Sequence, residues 1–316
     1  MELAPAILRE YDIRGVVGQH LSEREAHAIG RAFGTIVARR GGKAVCLGYD
    51  GRVSSPGFAA AAAKGLAAAG LEVWRVGRGP TPMLYFSVFH FGADGGLMIT
   101  GSHNPPDQNG FKMTLGPALG AMPLFGAEIQ GLGEIVRKAD YASGQGKVSE
   151  RPVFDDYVAH LAAEAGSGGK ALTAVWDAGN GAAGEAMLAL TRRLAGRHVP
   201  LYAEIDGTFP HHHPDPTVAA NLADLQATVK TEKADYGVAF DGDGDRIGLV
   251  DGKARILWAD QLMVLFARDL LAARPGSPVI ADVKASQVLF DEIAKAGGQP
   301  VMFKTGHSLI KAKMKE

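Results

Sequence analysis

Short apolar runs alternate along the chain with longer stretches that carry helix start and stop signals. The first helix is expected over 22–40, where Ser22 stands at the N-cap and Glu25, three residues on, completes a capping box. A strand over 43–49 follows and ends in the turn Asp50-Gly51-Arg52. Ser55-Pro56 then opens an alanine-rich helix that runs to Gly70, with Ser at the cap, Pro in the first turn and Gly as terminator. Phe58 and Leu66 punctuate its alanines, which marks a close-packing face and not low complexity. A strand over 71–76, a helix over 81–90 and a strand over 95–99 complete this cycle, and a polar, glycine-bearing linker occupies 142–150.

The same rhythm returns twice. A strand over 173–177, a helix reaching about 195, a strand over 201–205, a helix over 219–232 and a strand over 236–240 form the second cycle. A helix over 259–273, a strand over 278–283, a helix over 286–297 and a strand over 300–304 form the third. Strands alternating with helices of this length predict an α/β fold of tandem units. The junctions divide the chain into 1–148, 149–251 and 252–316, the last unit incomplete because the chain stops at Glu316 inside an expected helix.

Composition narrows the function without naming it. Hydrophobic residues make up 47% and charged residues 21%, as in an ordinary globular protein. A net charge of −1 supplies no basic field, so neither nucleic acid nor an acidic membrane is an expected partner. The single cysteine, Cys46, lies in an apolar run and has no internal partner, which suits a small core residue in a reducing compartment. There is no basic segment leading into an apolar signal core and no apolar run of 18 residues, so the cytoplasm is the expected location. A monomer is the favoured state.

Candidate chemistry collects in the polar turns that follow the apolar runs. Gly96-Leu97-Met98-Ile99 breaks at Thr100-Gly101-Ser102-His103-Asn104-Pro105-Pro106, which presents a hydroxyl at the end of a strand among free backbone N–H groups. The same residue types also make ordinary turns. Tyr236–Phe240 ends in Asp241-Gly242-Asp243-Gly244-Asp245-Arg246. Three carboxylates at alternate positions repel one another unless a divalent cation neutralises them, and hard oxygen ligands favour Mg²⁺ or Ca²⁺. An EF-hand would need Gly at its sixth position and Glu at its twelfth, where this chain has Arg246 and Gly252. That leaves a metal-binding turn or a solvated acidic one, with Arg246 as a fork for a phosphate. His211-His212-His213 sits in a proline-stiffened loop without partners at zinc spacing and is read as structural. Asp177-Ala178-Gly179-Asn180-Gly181-Ala182 is read as a tight strand-to-helix connection.

T-G-S-H-N-P, D-G-D-G-D-R and the opening Glu10-Tyr11-Asp12-Ile13-Arg14-Gly15 occur in the order found in the α-D-phosphohexomutases, and the chain resembles the bacterial phosphomannomutase/phosphoglucomutase branch. The resemblance implies tandem α/β/α domains with mixed sheets: a phosphoserine domain, a metal-loop domain and part of a sugar-binding domain, with the family's fourth, phosphate-binding domain absent. It implies interconversion of mannose or glucose 1- and 6-phosphates through phospho-Ser102 and a 1,6-bisphosphate, with glucose 1,6-bisphosphate as activator. One Mg²⁺ would be held by Asp241, Asp243, Asp245 and Ser102. Lys112, in Asn109-Gly110-Phe111-Lys112, would serve as proton carrier or phosphate ligand. Arg14 and His103 would also belong to the catalytic set, His103 as a loop-shaping or phosphate contact. Tyr11, Arg246, Lys284 and His307 would approach the sugar phosphate. Without the family's later loops the chain is expected to be weakly active or inactive by itself. Two other readings stay open: a mutase for an amino sugar phosphate, and a non-catalytic protein that binds phosphate or a divalent cation.

Overall fold

The structure, a computed structural model, describes residues 1–165 and 170–316, except for the side chain of His307. The first unit contains β1 (Ile13–Val16), α1 (Glu23–Arg39), β2 (Ala44–Tyr49), α2 (Ser55–Ala68), β3 (Glu72–Arg78), α3 (Thr81–His90), β4 (Gly95–Ile99), β5 (Gln108–Leu115), α4 (Ala127–Lys138) and β6 (Val148–Glu150). Its six strands form one mixed sheet in the order β1-β5-β4-β2-β3-β6. The second unit contains α5 (Phe154–Ala165), β7 (Leu172–Asp177), α6 (Gly184–Thr191), β8 (Gly196–Leu201), α7 (Ala223–Thr231), β9 (Tyr236–Phe240), β10 (Ile247–Asp251) and β11 (Ile256–Leu257). Its sheet runs β11-β10-β9-β7-β8 and is also mixed. The third unit has α8 (Ala259–Ala273), β12 (Pro278–Asp282), α9 (Gln287–Lys295), β13 (Gln299–Phe303) and α10 (His307–Lys313), with β12 and β13 paired in parallel.

Both larger sheets share a plan that decides where chemistry can occur. A parallel strand, β4 or β9, runs up the sheet beside β2 or β7. The chain then turns back as an antiparallel neighbour, β5 or β10, with Ile99 facing Phe111 in one hairpin and Phe240 facing Ile247 in the other. The serine turn and the aspartate turn are the tips of these two hairpins. Both therefore lie at the C-terminal ends of parallel strands, where open α/β sheets gather their ligands.

One apolar cluster fills the space between one face of the first sheet and α1, α2 and α4, around Phe33, Leu47, Leu66 and Phe111. A second joins the units: Met83, Leu84 and Val88 of α3 pack with Met98 of β4 and with Val153, Tyr157, Val158 and Ala186 from the second unit. The third unit keeps a small cluster of its own around Leu271, Leu289 and Ile293. Among the described residues no helix is long and apolar enough to cross a membrane.

The expected helices and strands of the first unit occur with small shifts, and the Ser22–Glu25 capping box is present. The next helix begins one residue earlier than expected, with Ser54 at the N-cap position; neither serine caps it, since the Ser55 hydroxyl donates to Asp50 Oδ1 at 2.5 Å and Ser54 Oγ accepts from Asn109 Nδ2 at 2.8 Å. The strand expected over 201–205 is instead β8, five residues earlier. As an edge strand it needs no apolar run, and it tolerates Pro200. The helix expected to reach 195 stops at Thr191. The end of the expected linker, 148–150, adds β6 to the first sheet, and β11 joins the second. Hydrogen bonding thus reaches Glu150 and Leu257, a few residues past the expected junctions.

The alanine-rich face packs as its composition suggested. A Cβ at Gly65 of α2 would meet the His27 carbonyl oxygen of α1, and one at Gly30 of α1 would meet the Ala62 carbonyl. Intrinsic helix propensity favours alanine over glycine by about 1 kcal/mol, but overpacking costs about 1–3 kcal/mol. Gly65→Ala is therefore expected to destabilise the protein on balance, read as a lower urea midpoint. A higher midpoint would show that the helices do not approach this closely.

Candidate active site

The serine turn is built around a buried cation. Arg52, only 1% exposed, donates Nη1 to the carbonyls of Pro105 (2.6 Å) and Gln108 (2.8 Å), and Nη2 to those of Ser102 (2.9 Å) and Asn104 (2.6 Å). A guanidinium's fixed fork can gather several carbonyls at once. Asp50 supports it from the same turn, accepting from the Arg52 and Gly101 amides and lying 3.4 Å from Arg52 Nε. A side chain at Gly101 would strike the guanidinium, so only glycine fits there. Arg14 grips the other side of the turn through the Thr100 carbonyl, and its Nε donates to Asp12 at 2.9 Å. Ser102 itself is buried and takes a left-handed backbone conformation with φ 50°, uncommon for a non-glycine residue. Its amide donates to Thr100 Oγ1 at 2.8 Å.

The aspartate turn meets it from the second unit. Ser102 Oγ donates to Asp241 Oδ2 at 2.9 Å, and Asp241 Oδ1 accepts from the amides of Asp245 and Arg246. Lys112, from β5, donates to Asp243 Oδ2 at 2.7 Å and to Asp245 Oδ2 at 2.6 Å. The Thr81 hydroxyl also donates to Asp243, and the Thr81 amide donates to the Asp243 carbonyl at 2.8 Å. One ligand oxygen from each of the three aspartates fits within 4.8 Å of the others. Gly242 allows the close approach, since a Cβ there would meet the Ser102 carbonyl, and Gly244 supplies a φ of 68°.

These residues fit a divalent cation. Asp243 is fully buried, yet its Oδ1 has no hydrogen-bond partner, an arrangement normally costly unless a ligand completes it. Burial, with the charges of Asp243 and Asp245, pushes Asp241 well above the usual carboxylate range. Burial would raise Asp243 too, but the Lys112 ammonium and hydrogen bonds from Lys112 and Thr81 hold it below that range. Burial would lower Lys112, but the two aspartates overcome it and hold the ammonium protonated. Lys112 therefore occupies the electrostatic place of a cation.

A cleft of about 520 Å³ opens over this junction. Of the residues singled out from the sequence, Tyr11, Arg14, Ser102, His103, Lys112, Asp245 and Arg246 line it, and Asp241 and Asp243 lie buried in the junction with Ser102 and Lys112. His103 Nδ1 is 3.3 Å from Ser102 Oγ, and burial with the Arg246 charge lowers its pKa. The Tyr11 hydroxyl donates to the Thr305 carbonyl at 3.1 Å, tying the third unit to the N-terminal motif. Lys284 does not reach the cleft: its side chain is 74% exposed beside Asp282. The side chain of His307 lies outside the described residues. Arg9, Asp12, Tyr85, Asn104 and Lys311 also line the cleft and were not singled out from the sequence. Burial raises the Tyr85 phenol to about 12, and the Lys311 ammonium lies 4.8 Å from its ring centroid. Arg52 was seen only as part of a turn.

Comparison with known proteins matches the three units in order. Residues 5–140, 155–254 and 258–316 match phosphoglucomutase/phosphomannomutase alpha/beta/alpha domains I, II and III. The chain is 45% identical to the phosphomannomutase/phosphoglucomutase of Pseudomonas aeruginosa over 314 residues, covering 99% of this chain and 67% of that protein. It is 42% identical to a phosphoglucomutase of Neisseria meningitidis serogroup B, covering 98% of this chain and 67% of the relative. A crystal structure of a phosphoglucomutase/phosphomannomutase family protein from Burkholderia thailandensis superposes with a TM-score of 0.94 at 42% identity, over 99% of this chain and 69% of that one. The chain belongs to the phosphoglucomutase/phosphomannomutase family, whose members are phosphohexose mutases.

Proposed function

We propose that the cleft interconverts hexose 1-phosphates and hexose 6-phosphates by way of phospho-Ser102 and a hexose 1,6-bisphosphate. The observation that carries this reading is the direct contact between Ser102 Oγ and Asp241, made where the aspartate turn of one unit meets the serine turn of another. Phospho-Ser102 gives its phosphoryl group to the free O1 or O6 hydroxyl. The O–P bond forms at the sugar and the Oγ–P bond breaks, with the hydroxyl proton ending on Ser102 Oγ. The bisphosphate reorients, and its other phosphoryl returns to Ser102. Glucose 1,6-bisphosphate would prime the serine.

A Mg²⁺ ion held by Asp241, Asp243, Asp245 and an oxygen on Ser102 would neutralise charge on the transferring group. Arg14 fixes the Thr100 carbonyl at the foot of the serine turn and adds positive charge beside it. We assign Lys112 as proton carrier, its ammonium freed for this role when Asp243 and Asp245 engage a cation. His103 shapes the turn and contacts phosphate. Tyr11 and Arg246 face the sugar phosphate, and Lys284 and His307 join them if the third unit closes over the cleft. The Pseudomonas aeruginosa relative is named for both mannose and glucose and the Neisseria meningitidis relative for glucose, and both sugars are proposed as substrates. The units 1–148, 149–251 and 252–316 act as serine, metal-turn and sugar-binding domains of a monomer in the cytoplasm. The chain spans 67% of the length of these relatives, and by itself we expect it to turn over hexose phosphates weakly.

Incubation with glucose 1,6-bisphosphate and Mg²⁺ should add one phosphate, ~80 Da, to the intact chain, with peptide mapping placing it on Ser102. Ser102→Ala should take up none, and phosphate elsewhere would refute the assignment. In calorimetric titration, Asp243→Asn should lose saturable Mg²⁺ binding while keeping its fold. Arg52→Ala should lose about 3–5 kcal/mol of stability, the cost of breaking a buried ion pair. Arg52→Lys should fail to restore the rate of serine phosphorylation, since one ammonium cannot reach four carbonyls. A fully active lysine variant would show that the fork is dispensable.

A further inference from the structure

Outside the cleft, one histidine has hydrogen bonds that specify its charge. His212 Nε2 lies 3.0 and 3.1 Å from the two carboxylate oxygens of Asp177, a fully buried residue at the end of β7. Its Nδ1 lies 3.0 Å from the His213 carbonyl oxygen. A carbonyl accepts only, and so does a carboxylate, so both ring nitrogens must donate. The ring that satisfies both contacts is the imidazolium.

This pair joins two loops that hold the aspartate turn. Asp177 leads into the first, where its Oδ1 also accepts from the Gly179 amide at 2.8 Å, and His212 belongs to the second. A second bond joins the loops beside it, His211 Nδ1 to Asn180 Oδ1 at 2.7 Å. From the first loop the Ala182 amide donates to the Gly242 carbonyl at 2.9 Å. To the second loop the Gly242 amide donates at 3.1 Å, onto the Pro214 carbonyl. Gly242 stands between Asp241 and Asp243, so both backbone groups of the residue that sets their spacing are held by loops that Asp177 and His212 tie together.

We propose that His212 is a resident imidazolium and the positioning residue of the aspartate turn, its ion pair with Asp177 fixing the loops that clamp Gly242. The inference rests on reading Asp241, Asp243 and Asp245 as a cation site. The groups facing the ring are Asp177 from β7, Asp224 from α7, Tyr202 at an edge-on 5.4 Å, and the His213 carbonyl on its own loop. Tyr202 donates to Asp224 and stacks on His211. Burial lowers the His212 pKa, but Asp177, the His213 carbonyl and Asp224 outweigh it and raise it above the ordinary histidine value. The clamp is thus intact at lower pH and is lost as pH rises through that raised value.

The test is nitrogen-15 NMR of the full chain labelled at histidine, with His212 assigned by comparison with His212→Gln. The expected result is a ring protonated at both nitrogens at neutral pH, titrating above ~6.5. In calorimetric Mg²⁺ titrations the wild-type affinity should fall on the alkaline side with the midpoint of the His212 titration. His212→Gln should bind Mg²⁺ more weakly, by up to the ~10-fold that loss of a hydrogen bond to a ligand itself costs, and should lack that alkaline fall. A neutral ring at neutral pH would overturn the proposal, as would unchanged Mg²⁺ affinity in the variant. If the variant does not fold, coincidence of the two wild-type midpoints decides. If wild-type protein binds no Mg²⁺ while the ring is charged, the cation-site reading fails and the positioning role fails with it, but the charge assignment stands.

Discussion

Three carboxylates brought this close inside a protein must be answered by positive charge. That constraint organises the junction between the first two units. The nearer countercharge comes from the other unit: Lys112 reaches Asp243 and Asp245 from β5 of the serine unit, while Arg246 of their own unit stands 4.0 Å from Asp245. Thr81 and Ser102 cross the same boundary to Asp243 and Asp241. Polar contacts of this kind are strong only where water is excluded. The apolar cluster that α3 and β4 share with α5 and α6 helps exclude it. Electrostatics sets the orientation of the two units and hydrophobic burial keeps it.

The two hairpins explain why one cleft draws on separate domains. Each sheet delivers a polar tip at the C-terminal end of a parallel strand, then returns antiparallel, so the tip is anchored on both sides by ladder bonds. Placing two such tips against each other demands that neither carry bulk at the contact. Gly242 meets that demand on one side. On the other, the serine turn is drawn inward onto a guanidinium, which fixes its carbonyls without adding volume above it.

Much of this was legible in the sequence, and for identifiable reasons. Apolar runs and caps mark the helices and most strands, and the spacing of Asp241, Asp243 and Asp245 points by itself to a cation. The return strands were harder. In β5 the apolar run is interrupted by Lys112, a charged residue buried only because its partners arrive from another unit, and no local pattern reports a partner more than a hundred residues away. Arg52 was hidden for the same reason: a buried arginine looks like a surface one until its four carbonyls are seen. Edge strand β8 lacks an apolar run altogether. Lys284 was expected near the sugar phosphate from the family resemblance alone, and here its side chain faces solvent.

Lys112 also bears on how the site takes up an ion. A divalent cation entering among the aspartates would compete with an ammonium that already holds Oδ2 of two of them, so binding there has the character of an exchange. The apparent affinity would be the intrinsic affinity of the three aspartates reduced by the lysine's own hold on two of them. A monovalent ion gains little from such an exchange, because it replaces one unit charge with another and forfeits the lysine's hydrogen bonds. A doubly charged ion gains a full extra charge of neutralisation. A resident lysine of this kind acts as an internal competitor that screens ions by valence.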